Sequence, residues 1–132
     1  MVHYPHLKEF ESIIWQRALD AKTFSGTFKY DVHVGEGFHD DHEDSCTIVC
    51  DDFKILTQKR IDVVNETASE INLIEITPKL SSRVLGQAIA YKILYNKQFP
   101  TGRIIKSFVV VESLDDDLLP IFKEHKIEVL RV

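Results

Sequence analysis

Two apolar segments in the middle of the chain each carry one acid: residues 60–64, RIDVV, surround Asp62, and residues 71–76, INLIEI, surround Glu75. A strand covered on both faces loses the in-out alternation of a half-buried one, so both segments are predicted as central strands. Residues 65–70 read as the turn between them. Residues 27–35, TFKYDVHVG, set Phe28, Tyr30, Val32 and Val34 against Lys29, Asp31 and His33, the period of a strand with one solvated face. CTIVC at 46–50 and FKILT at 53–57 are expected as short strands around Asp51 and Asp52, after a polar loop over 36–45. IIKSFVVVE at 104–112 reads as a fully buried strand, and IEVLRV at 127–132 as the last one.

Three segments follow the helical period instead. Residues 7–21 place Leu7, Phe10, Ile13 or Ile14, Arg17 and Ala18 on one stripe behind Pro5. Residues 81–96 follow Pro78, with Ser81 or Ser82 available as N-cap. Residues 114–126 hold a short helix with Pro120 near its start. The predicted order is a helix, three or four antiparallel strands, then helix, strand, helix, strand. That order describes an α/β domain with a mixed sheet, spanning residues 1–132 as a single unit.

Composition narrows the classes. The chain has 132 residues, 44% hydrophobic and 28% charged, the balance of a globular domain able to bury a core. No run is long enough to span a bilayer, and the polar start MVHYPHLKEFESI lacks a signal-peptide core, so an intracellular protein is expected. Cys46 and Cys50 lie about 13 Å apart in an extended segment. A disulfide needs Cα atoms within about 7 Å, so two reduced thiols are expected. His39 and His42 sit among acids without zinc or calcium spacing, and that segment reads as a solvated acidic loop. The formal charge of −5 speaks against a surface built for non-specific DNA affinity. Lys79, Arg83, Lys92, Lys97, Arg103 and Lys106 nevertheless share one neighbourhood of the sequence. No Ser/His/Asp or Cys/His pattern supports acyl transfer.

The candidate chemistry lies in the central strands. A turn centred between Ala68 and Ser69 sets Asp62 opposite Glu75, with Cβ atoms about 5 Å apart. Oxygen ligands at that separation suit Mg²⁺ or Mn²⁺. The alternative is that one or both acids pair with Arg60 or a lysine. Gln87 and Tyr91, at i and i+4, share one helix face. Gly86 costs the helix about 1 kcal/mol against alanine, which close approach to the sheet or to a ligand backbone would explain.

The series Asp62, Glu75, then Gln87 and Tyr91 on the next helix resembles the PD-(D/E)xK nuclease superfamily, in the branch of RecB-type domains and CRISPR-associated exonucleases. Wording such as KRIDVV, IEIxP and GQxxxY is also similar to nuclease-like proteins of phages and mobile elements. The resemblance covers nearly the whole chain. It implies a restriction-endonuclease-like three-layer fold, a mixed sheet flanked by helices in the order α-β-β-β-β-α-β-α-β. It further implies Mg²⁺ or Mn²⁺ held by Asp62, Glu75 and the carbonyl of Ile76. Glu11, or Glu9, would be the acid of the first helix, and Gln87 and Tyr91 would orient the site or touch the DNA backbone.

The implied reaction is hydrolysis of a DNA phosphodiester by metal-activated water. The departure is Thr77, which stands where the family has lysine. Lys79 has the same parity but lies about 6.6 Å further along the strand. Its four-carbon stem could reach back, and Lys92 is a second candidate. Two functions follow: a Mg²⁺-dependent deoxyribonuclease, or an inactive nuclease-derived structural or interaction module. The second would suit a homo-oligomer, a phage particle or a nucleoprotein assembly, with a virion location if phage-encoded.

Overall fold

Among the described residues, five strands form one mixed sheet in chain order, and the acid-bearing segments lie inside it. The computed structural model describes residues 4, 7–36 and 59–132. The strands expected at 46–50 and 53–57, most of the acidic loop, and His39, His42, Cys46 and Cys50 lie outside the described residues. The described elements are α1 (Glu9–Asp20), β1 (Thr27–Val34), β2 (Lys59–Glu66), β3 (Glu70–Lys79), α2 (Ser82–Gln98), β4 (Ile104–Ser113), α3 (Leu119–Glu124) and β5 (Ile127–Arg131). β1, β2 and β3 pair antiparallel; β3, β4 and β5 pair parallel, joined by α2 and α3. No helix among the described residues is long and apolar enough to cross a membrane.

Each face of the sheet is covered, which accounts for the unbroken apolar runs. On one side α1 sets Ile14, Trp15 and Ala18 against Val63, Ile74, Ile76, Phe108 and Val110. On the other, Leu80 and α2 residues Val84 and Ala88 pack with Val109, Val111, Phe122 and Ile127. Helix α2 starts on Ser81, whose hydroxyl accepts the Val84 N–H at 3.2 Å. The three layers match the expected architecture.

Two differences bear on the site. The buried stripe of α1 runs through Ile14, Trp15 and Ala18, and Phe10 is 48% exposed. The 3.6-residue period that buries positions 14, 15 and 18 places Glu11, not Phe10, on that side. Asn65, expected in the turn, is instead a buried strand residue. Its amide donates to the carbonyls of Ser25 (2.6 Å) and Thr27 (3.1 Å), and its Oδ1 accepts from Asn72 at 2.9 Å. This polar pair ties the corner before β1 to the hairpin. Gly26 sits in that corner at φ +95°, where a Cβ would lie 2.2 Å from the Glu66 carbonyl oxygen.

Candidate active site

Pairs Val63↔Ile74 and Val64↔Leu73 fix the β2–β3 register, and one further step sets Asp62 opposite Glu75. The register is the one a turn centred between Ala68 and Ser69 requires. The paired ladder stops at Val63↔Ile74. Beyond it, Asp62 Oδ2 accepts the Ile76 N–H at 2.9 Å, so a side chain takes over a backbone donor. On β1 the position facing Asp62 is Asp31, which adopts φ +53°. An aspartate tolerates this left-handed conformation better than most residues. The sheet reverses its facing there: Phe28, Tyr30 and Val63 pack toward α1, whereas Val32, Val34 and Ile61 pack toward α2. The acids therefore occupy a distortion of the sheet rather than a regular ladder.

Burial dominates the electrostatics. Glu75 is 6% exposed, and its Oε1 has no hydrogen-bond partner. Burial raises the Asp62 pKa to about 6; the Ile76 N–H and a hydrogen bond with Glu75 act downward, and the charges of Glu11 and Asp31 act upward. Glu75 is raised well above the usual carboxylate range, by burial first and the Asp62 charge second. Two carboxylates within hydrogen-bonding reach need a proton or a cation between them.

The alternative of a neutralising arginine or lysine is not realised among the described residues. Arg60 turns to Asp31 at 3.7 Å, and His33 Nε2 lies 3.4 Å from the same aspartate. The pair itself offers only carboxylate oxygens, one of them orphaned, which fits a hard divalent cation keeping several waters. Among the described residues no three His, Cys, Asp or Glu side chains gather closely enough to hold a metal. Glu11 acts on both acids through its charge, while its Oε1 accepts the Lys8 N–H at 3.0 Å.

Helix α2 supplies the opposite wall. Arg83, Gln87 and Tyr91 recur every four residues on one face. Burial and the charges of Glu75 and Asp62 raise the Tyr91 phenol, while Arg83 and a hydrogen bond from Gln87 act against this. Asp62, Glu75, Gln87 and Tyr91 are thus brought together. The lysine candidates are not placed alike. Lys92, one residue around the helix from Tyr91, lines a cavity on the other flank of α2 with His125 and Ile127. Lys79 is exposed at the end of β3. Thr77, on the Glu75 face, donates its hydroxyl to the Lys79 carbonyl at 3.3 Å. Gly86 is exposed, and an added Cβ would meet nothing within 4 Å, so approach to the sheet does not explain it.

Sequence reasoning missed two residues here. Asp31 looked like the polar half of an alternation, and the only hint was an aspartate where a β-branched residue would be usual. Arg83 was legible as the earlier member of the Gln87–Tyr91 spacing.

No family model matches the chain, and no curated protein matches it. Its fold is shared with solved structures. A repair endonuclease from Pyrococcus abyssi aligns over 99% of this chain with a TM-score of 0.51 and 12% identity. An EndoMS–dsDNA complex aligns over 100% with a TM-score of 0.54 and 11% identity. The chain spans about half of each, 49% and 48%. At this identity the likeness establishes a restriction-endonuclease-like α/β fold.

Proposed function

We propose that this chain is a metal-dependent nuclease domain that hydrolyses DNA phosphodiester bonds, of the RecB-like type. The observation that carries this reading is the half-buried Asp62 beside the buried Glu75, a pair that lacks a cationic partner among the described residues and leaves Glu75 Oε1 unsatisfied. Asp62, Glu75 and the Ile76 carbonyl would hold Mg²⁺ or Mn²⁺, with Glu11 adding negative charge from α1. When bound, the metal would lower the pKa of a coordinated water and neutralise charge on the phosphate.

The chain's own residues would do the rest. Gln87 and Tyr91 present amide and phenol donors to a phosphate oxygen, and Arg83 adds a cation on the same helix face. Lys79 would reach back along β3 to orient the attacking water, the task Thr77 cannot perform with a short neutral hydroxyl. DNA as substrate is supported by the nature of the two structural neighbours, one of them bound to double-stranded DNA.

One observation favours an inactive, nuclease-derived binding or structural module: Thr77 turns its hydroxyl to the Lys79 carbonyl, away from any catalytic task. Incubation with linear and circular DNA in Mg²⁺ or Mn²⁺ separates the two readings. The nuclease reading expects cleavage that falls by roughly a hundredfold or more in Asp62→Ala and Glu75→Ala, the scale of losing metal-based charge stabilisation. No cleavage by the unaltered protein with either metal would leave the module reading.

A further inference from the structure

The second flank of α2 carries a cavity that plays no part in the carboxylate site. It has a volume of about 660 Å³, within the range of small-molecule sites, and lies between α2, the start of β4 and the turn before β5. Four of its lining residues are basic, Lys92, Lys97, Arg103 and His125, and no acid among the described residues lines it. In a chain with 21 acids against 16 lysines and arginines, that segregation is not what mixing would give.

The cations are not spent internally to the same extent. Arg103 donates to the Thr67 carbonyl at 3.1 Å and lies 3.7 Å from Glu66. Lys92 and Lys97 form no ion pair among the described residues. A second, independent feature is Ser107 on the cavity wall. It is 2% exposed, and its Oγ has no hydrogen-bond partner. A buried hydroxyl without a partner costs about 1–3 kcal/mol, and turning it toward the cavity to meet a ligand acceptor would recover that cost. Ile89, Ile105 and Ile127 supply apolar walls beside these donors.

We propose that this cavity binds a phosphate-bearing ligand of nucleotide size, its phosphate held by Lys92 and Lys97 and its body against the isoleucine wall beside Ser107. The phosphate can come from a free mononucleotide or from a nucleic-acid strand, and both present the same anion. The site is separate from the carboxylate pair, because Tyr91 and Lys92 project from different flanks of α2.

The test is NMR titration of the ¹⁵N-labelled protein in EDTA, which silences metal-dependent cleavage, with AMP in one arm and a short single-stranded oligodeoxynucleotide in the other. Saturable shifts at Ala88, Ser107 and Ile127 are expected, with affinity falling about tenfold or more in Lys92→Gln/Lys97→Gln as charge-assisted bonds are lost. Ser107→Ala should weaken AMP binding several-fold, and AMP should cause no saturable shifts at Glu75 or Tyr91. Response to AMP identifies a nucleotide site, and response to the oligonucleotide alone identifies a strand-phosphate site; either supports the proposal. Absence of saturable shifts at these residues in both arms, or an affinity indifferent to Lys92→Gln/Lys97→Gln, overturns it. Neither outcome depends on cleavage activity, so the nuclease reading stands or falls separately.

Discussion

Burial holds the Asp62 carboxyl near a pKa of about 6, against an ordinary 3.8. Between those values the folded state binds more protons than the unfolded chain, so stability falls as pH rises through the window. Glu75, raised further, extends the loss to higher pH. Asp62→Asn keeps an acceptor for the Ile76 N–H and removes one titration. Its stability relative to the unaltered protein should therefore rise between pH 4 and pH 8, by on the order of 1–3 kcal/mol. Urea unfolding at both pH values measures this, and a pH-independent difference would contradict it. A divalent metal held by the pair would act on the same charge. At a hundredfold excess over its Kd, Mn²⁺ should stabilise the protein by about 2.7 kcal/mol at pH 8, and much less at pH 5, where protons compete. Thermal unfolding of Glu75→Gln should show little of that gain; an equal gain would place the metal elsewhere.

Elements explain which glycines matter. Gly86 lies exposed in α2 with open space at its Cβ position, so Gly86→Ala should stabilise the helix by about 1 kcal/mol. Should the same variant bind DNA less tightly, the glycine serves approach of a ligand backbone. Gly26 is the opposite case, because its φ of +95° and the Glu66 carbonyl 2.2 Å from a Cβ both exclude a side chain. Gly26→Ala should lower the thermal midpoint and loosen the corner that Asn65 holds. The helices and strands themselves were legible, since their apolar periods are local. The stripe of α1 was not, because Phe10 and Glu11 differ by one position and only the packed sheet decides which of them faces inward. Asn65 was misread for a related reason: a buried asparagine is tolerable only when Asn72 and the Ser25–Thr27 carbonyls come from elsewhere to satisfy it.

Among the described residues, the parallel β3–β4 pair is enclosed on both sides, with Val109, Val110 and Val111 fully buried between the two helical layers. Their amides should exchange last, and those of the short helix α3 earlier, in native-state hydrogen exchange; uniform protection would contradict a core centred there. The same enclosure pushes both acids up: covering both faces of β2 and β3 takes most of the solvating water from Glu75 and part of it from Asp62.

By itself the sequence determined the alternation of strands and helices and the Gln87–Tyr91 spacing, and it opposed Asp62 to Glu75 for one turn position, which the structure adopts. These follow from periods of two and 3.6 and from one turn position, all local quantities. Tertiary structure decided which charges meet. Asp31 faces Asp62 through a left-handed backbone step, Arg60 is diverted to Asp31, Arg83 joins the Tyr91 face, and Lys92 falls into a separate cavity. Such choices depend on the rotation of each element against its neighbours, and a single residue of rotation moves a side chain from one flank of a helix to the other.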